Sequence, residues 1–129
     1  MAAAFWVSQT MSDFGRSLGF DDLTFDERGM LHLAFDELGT LGLEQQDKQV
    51  LIYLMRYFSH AEPATLLKSL QICHHRLHDF DWCQAALMKD HHLAIATTLP
   101  HQDFQLSRLE SVIDQLATMH DEVASISYR

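Results

Sequence analysis

The sequence predicts an α+β domain in the order α-β-β-β-α-β-β-α: an antiparallel twisted sheet of five or six strands with three helices. Three observations predict it. Between Leu23 and Phe58 the apolar residues recur with the period of two that strands require, interrupted by turn residues. Three other stretches carry apolar residues at helical spacing. Proline and glycine punctuate the chain near the points where one pattern gives way to the other. At 129 residues, a single domain spanning 1–129 is expected.

Ala3 to Leu18 reads as the first helix, with Val7, Met11, Phe14 and Leu18 on one face and Phe5 and Trp6 widening it near the start. Gly19 followed by Phe20 has the form of a glycine just past a helix end with a hydrophobic contact after it. Core packing is the simplest role for this face; contact with a partner is the alternative for Phe5 and Trp6. Leu23 to Phe25 reads as a short strand and Asp26 to Gly29 as a turn, with Gly29 able to take positive φ. Leu31, Leu33 and Phe35 alternate with His32, Ala34 and Asp36. Leu41 and Leu43 share one face of the next strand, and Gln45 to Lys48 turns the chain again.

Val50 to Phe58 is apolar on both sides, with Val50, Ile52 and Leu54 on one and Leu51, Tyr53 and Met55 on the other. A strand of that kind is covered on both faces, and a partner chain is a reasonable candidate for one cover. Pro63 opens the second helix, which carries Leu66, Leu70, Cys73 and Leu77 on one face over Ala64 to His78. Trp82 to Met88 and His91 to Leu99 read as strands joined at Lys89-Asp90. The small residues Ala94 and Ala96 mark a side that backbone or a large side chain approaches closely. Pro100 ends the strand, Asp103 is the expected N-cap of the last helix, and Leu106 to Ile126 places Leu106, Leu109, Ile113, Leu116 and Val123 along its inner face.

The formal net charge of −9 argues against nucleic acid and anionic membrane as general partners, since both require a basic face. Cys73 and Cys83 lie outside any Cys-x-x-Cys motif and suggest no disulfide framework, so a reducing cytosol fits. The N-terminal stretch lacks the basic region and apolar core of a secretory signal, and no stretch approaches the roughly 20 apolar residues of a membrane span.

Among nine histidines, His74 and His78 form an i, i+4 pair beside His75, Asp79 and Asp81. No glutamate follows His74 as a zinc protease would require, and the three histidines fit a solvated rim. Cys73 sits on an apolar helix face, where packing is the expected role. The five glycines are expected in turns and form no phosphate loop. The acidic residues Asp21, Asp22, Asp26, Glu27, Asp36 and Glu37 fall at strand ends and turns. No nucleophile, base and oxyanion donor assemble. The expectation is a binding protein without enzymatic activity, cofactor or metal. A small metal-dependent enzyme using His74 and His78 is the rival from another class.

The run FGRSLGFDDLTFDERGMLHLAFDE resembles the N-terminal part of the class I type III secretion chaperones, the Tir-chaperone (CesT-like) family: a first helix ending in Leu18-Gly19, a short strand at Leu23 to Phe25, an acidic turn with Gly29, and a strand ending in Phe35-Asp36. The remaining order of elements, the size and the acidity match as well. The resemblance implies a small cytoplasmic bacterial dimer that binds the extended N-terminal segment of a secreted effector, keeping it soluble and competent for export without consuming nucleotide. It places the dimer interface at Leu66, Leu67, Leu70, Trp82 and Leu87, and effector contacts at Phe5, Val7, Phe14, Leu33 and Phe35. The partner in the dimer is a second copy of the chain or, as in some relatives, a different small chaperone. The alternative within the same fold is a regulatory adaptor that binds a transcriptional regulator or gatekeeper protein. The histidine-rich second helix has no counterpart in the family pattern.

Overall fold

The computed structural model describes residues 2–58, 63–75 and 82–127. Helix α1 spans Ala2–Ser17, strands β1, β2 and β3 span Met30–Phe35, Gly39–Gln45 and Gln49–Tyr57, helix α2 spans Pro63–His75, strands β4 and β5 span Cys83–Met88 and His92–Pro100, and helix α3 spans Leu106–Ser127. The five strands form one fully antiparallel sheet in the order β1-β2-β3-β5-β4.

Register decides which residues share a face. Leu33 stands opposite Leu41, Leu41 opposite Leu54, and Leu54 opposite Ile95, which in turn faces Ala85. From Leu41 onward that row is buried, with its neighbours Leu43, Val50, Ile52, Leu93 and Leu99, while Leu33 on the edge strand is partly covered. Helix α3 lies over them with Leu109, Val112, Leu116, Met119 and Val123 turned inward, and α2 packs beside β4 and α3. All three helices therefore serve the same side of the sheet. The odd-numbered side of β3 (Leu51, Tyr53, Met55, Tyr57) faces away from the core and is only partly covered by the described chain.

Local chemistry fixes the element ends. Gly19 adopts φ +89°, and the N–H groups of Phe20 and Gly19 donate to the carbonyls of Gly15 and Arg16 at 2.8 and 3.1 Å, the paired bonds of a glycine-terminated helix. In the Asp26–Gly29 turn the Asp26 carboxylate accepts N–H bonds from Met30 at 2.9 Å and Arg28 at 2.8 Å, and these, the Met30 bond above all, hold it below its ordinary pKa. Arg56 donates to the Leu38 carbonyl at 2.7 Å and to Asp121 at 2.6 Å, tying the β1–β2 turn to α3.

Several expectations are corrected. Leu23 to Phe25 is no strand: it joins no sheet neighbour among the described residues, whose sheet has five strands. Gly15 lies inside α1 and Gly42 inside β2, not in turns. Trp82 precedes β4, and Pro100 is the last residue of β5. Asp103 is not the N-cap of α3. It ends a 3-10 turn over His101–Asp103, and the Gln105 carbonyl accepts from Leu109 N–H at 2.8 Å, which puts Gln105 in the cap position. The expected continuation of α2 to His78, and with it Leu77, Asp79 and Asp81, lies outside the described residues.

Candidate functional site

Three surfaces offer apolar side chains to a partner. The first is a groove between α1 and the segment that follows it. Leu23 packs so closely on α1 that a Cβ at Gly15 would come within 2.5 Å of the Leu23 Cβ. The chain then runs past α1 toward β1, enclosing a cavity of about 250 Å³ lined by Phe5, Met11, Leu23 and Phe25 among polar Ser8, Gln9 and Asp22. Phe5 is 72% exposed at its rim. The groove is anchored from below. The Phe104 carbonyl accepts Trp6 Nε1–H at 2.9 Å and the Thr10 hydroxyl at 2.8 Å, joining α1 to the turn before α3. The Leu23–Phe25 wall leads into β1, which pairs only with β2, so one edge of β1 is open among the described residues.

The second surface is the open side of the sheet. There one row reads His32, Gly42, Tyr53, Ala96, Gln84 across the five strands. Gly42 has a steric reason: a Cβ there would fall within 2.0–2.4 Å of the phenol end of the Tyr53 side chain, which occupies the space over the glycine. The Tyr53 phenol and His32 Nε2 share a hydrogen bond of 2.5 Å. Burial pushes the Tyr53 phenol above its ordinary pKa, with the Glu44 carboxylate adding to the shift. Further along, Tyr57 lies edge-on to His91 and His92. We expect Gly42→Ala to displace the Tyr53 ring, break the Tyr53–His32 bond and cost about 1–3 kcal/mol of stability, read by thermal unfolding.

The third surface is the rim where α2 meets β4. Leu67 and Leu70 are exposed on α2, Trp82 is exposed just before β4, and Met88 is exposed at the far end of β4 on the open side of the sheet.

The ten site residues expected from the sequence divide accordingly. Phe5, Leu67, Leu70 and Trp82 are exposed. Val7 and Phe14 are core residues that fix α1 to the rest of the chain, with 0% and 4% exposure, so they offer no free surface. Leu33, Phe35, Leu66 and Leu87 are partly buried and pack against the core from the helix-facing side. Leu23, Phe25 and the open-side residues of β3 were not assigned to the site; the two-sided apolarity of β3 was the signal for the latter. His74 is exposed, while His78 lies outside the described residues. Among the described residues no three metal-ligating side chains cluster, and no helix is long and apolar enough to cross a membrane.

Comparison with known proteins places this geometry. Residues 6–124 match the family model described as type III secretory system chaperone SycN. No curated protein matches the sequence. Among solved structures, a chain of the HopA1–SchA chaperone–effector complex is similar with TM-score 0.70 and 16% identity, over 97% of this chain and 95% of that one. The Yersinia pestis type III secretion chaperone SycH, solved with a stable fragment of YscM2, gives TM-score 0.65 and 19% identity over 92% and 98% of the two chains. A chain of the ExsC–ExsE complex gives TM-score 0.68 and 19% identity over 91% and 87%. At these identities the structures establish a shared fold, and the family match covers nearly the whole sequence. The resemblance read from FGRSLGFDDLTFDERGMLHLAFDE pointed to the same class, the type III secretion chaperones, and the family model that matches within it is that of SycN. The chain belongs to the type III secretory system chaperone SycN family.

Proposed function

We propose that this protein is a cytoplasmic secretion chaperone that holds the N-terminal segment of a secreted effector unfolded and export-competent. The observation that carries the reading is the apolar α1 groove, whose Leu23–Phe25 wall leads into the edge strand β1. An extended segment can place apolar side chains over Phe5, Leu23 and Phe25 while its backbone pairs with β1, so pockets select and the strand edge holds. The open side of the sheet, with Tyr53, Met55 and Tyr57, offers a second surface to a segment that wraps. The net charge of −9 favours a basic or neutral partner. Binding is passive: the bound segment loses conformational entropy, and apolar burial offsets that cost.

The test is capture of the tagged protein from its own bacterium, with mass spectrometry of what co-purifies. A stoichiometric secreted protein, lost when its first ~100 residues are deleted, supports the reading; that length is an order-of-magnitude figure for a segment able to wrap a small domain. A transcriptional regulator in its place would make the protein a regulatory adaptor. Phe5→Ala should weaken capture about tenfold or more, as aromatic anchors do, and leave the melting temperature unchanged.

Leu67, Leu70 and Trp82 form the surface for a second subunit, either another copy of this chain or a different small chaperone. Leu70→Ala with Trp82→Ala should raise the dissociation constant of the assembly at least about tenfold by sedimentation. A dimer that tolerates both would refute this interface.

A further inference from the structure

Behind the Leu67–Leu70–Trp82 rim the chain's two cysteines meet. Cys83 opens β4 opposite the buried Thr97, so its side chain lies on the helix-facing side of the sheet, where α2 packs. Cys73 is on the inner face of α2 and 3% exposed. Both are free thiols, close enough that each shifts the other's titration. Cys83 is the less covered of the two and gives the pair its approach from solvent. Interaction with Cys83 holds the Cys73 thiol below its ordinary pKa against the opposing effect of burial, while interaction with Cys73 and burial push the Cys83 thiol up. The thiolate is the nucleophilic form, so the pair joins a stabilised nucleophile to a second sulfur within reach. Effector binding and subunit pairing make no use of this chemistry.

We propose that Cys73 and Cys83 are a peroxide-responsive modification site, closing to an intrachain disulfide that joins α2 to β4. The Cys73 thiolate attacks one oxygen of hydrogen peroxide and breaks the O–O bond. The hydroxide expelled takes up the proton Cys73 had released and leaves as water, and Cys73 becomes a sulfenic acid. The Cys83 sulfur then attacks the sulfenic sulfur. The S–S bond forms, and the hydroxyl leaves with the Cys83 proton as a second water. The two sulfurs lose two electrons and the peroxide is reduced to two waters. The new bond closes a loop over residues 74–82 and fixes strand to helix directly behind the exposed rim.

The full chain carries only two cysteines, so the test counts cleanly. The protein is treated with graded hydrogen peroxide, quenched with a maleimide, and read by intact mass and peptide mapping. We expect two maleimides per chain before treatment and none after it, a cross-linked peptide containing Cys73 and Cys83 within one chain, and recovery of both thiols in dithiothreitol. Cys83→Ser removes the resolving sulfur, so Cys73 should proceed to sulfinic acid and fail to recover. Two maleimides per chain after a peroxide dose that oxidises free glutathione would overturn the proposal, as would a disulfide found only between chains.

Discussion

Phe104→Ala is expected to lower the unfolding free energy by about 3–5 kcal/mol, the range for emptying a well-packed aromatic site. Phe104 is fully buried, the largest such side chain in the described core. It sits between the last strand and α3, where its backbone carbonyl also receives the Trp6 and Thr10 hydrogen bonds. Alanine keeps the carbonyl but empties the space beneath it, so α1 loses its footing without losing its hydrogen-bond acceptor. Urea unfolding should show a lower midpoint with an unchanged slope, the sign of a stability change without a change in exposed surface. The groove beside Phe5 should suffer as well, because α1 forms one wall of it. Phe5→Ala is the control: at 72% exposure it should stay within about 0.5 kcal/mol of the parent. A loss below about 1 kcal/mol at Phe104 would contradict its place in the core.

The second large effect is acid destabilisation through His120. This side chain is fully buried on α3. Its Nε2–H donates to the Leu54 carbonyl at 2.7 Å, its ring stacks on Phe58, and Nδ1 has no hydrogen-bond partner among the described residues. Burial lowers its pKa from 6.5 to about 4, with the Leu54 bond opposing and Arg56 adding to the fall. The folded protein thus prefers the neutral ring, while the unfolded chain takes up a proton first as pH falls. The stabilisation is complete above pH 6.5 and is lost as pH drops toward 4. The difference corresponds to about 3 kcal/mol over that window. Urea midpoints measured between neutral pH and pH 4 should fall accordingly, and His120→Gln, which retains an N–H donor, should flatten the dependence. An equally steep fall in that variant would assign the acid sensitivity to other groups.

The sequence by itself determined the elements. Gly19 closes α1 because a residue past a helix end takes positive φ most easily without a Cβ. Pro63 opens α2, the period-two runs became β1, β2, β3 and β5, and the long apolar stripe of α3 lies inward as its spacing requires. His120 was legible too, four residues after Leu116 and three before Val123 on that stripe, although its residue type concealed it.

What only the tertiary structure decided is which face of each strand is covered, and by what. A period of two says that faces alternate; it does not say where helices will dock. Val7 and Phe14 were expected at an effector surface and lie in the core, because α1 packs on α3 and the preceding turn with the face that carries them turned inward. Leu23 to Phe25 has the alternation of a strand but no neighbour among the described residues to pair with, and strand formation depends on a neighbour's hydrogen bonds as much as on pattern. Leu66 differs from Leu67, and Leu87 from Met88, by one position each. That single step sends one side chain to the core and the next to the surface, since burial depends on the direction of the side chain and not on its hydrophobicity.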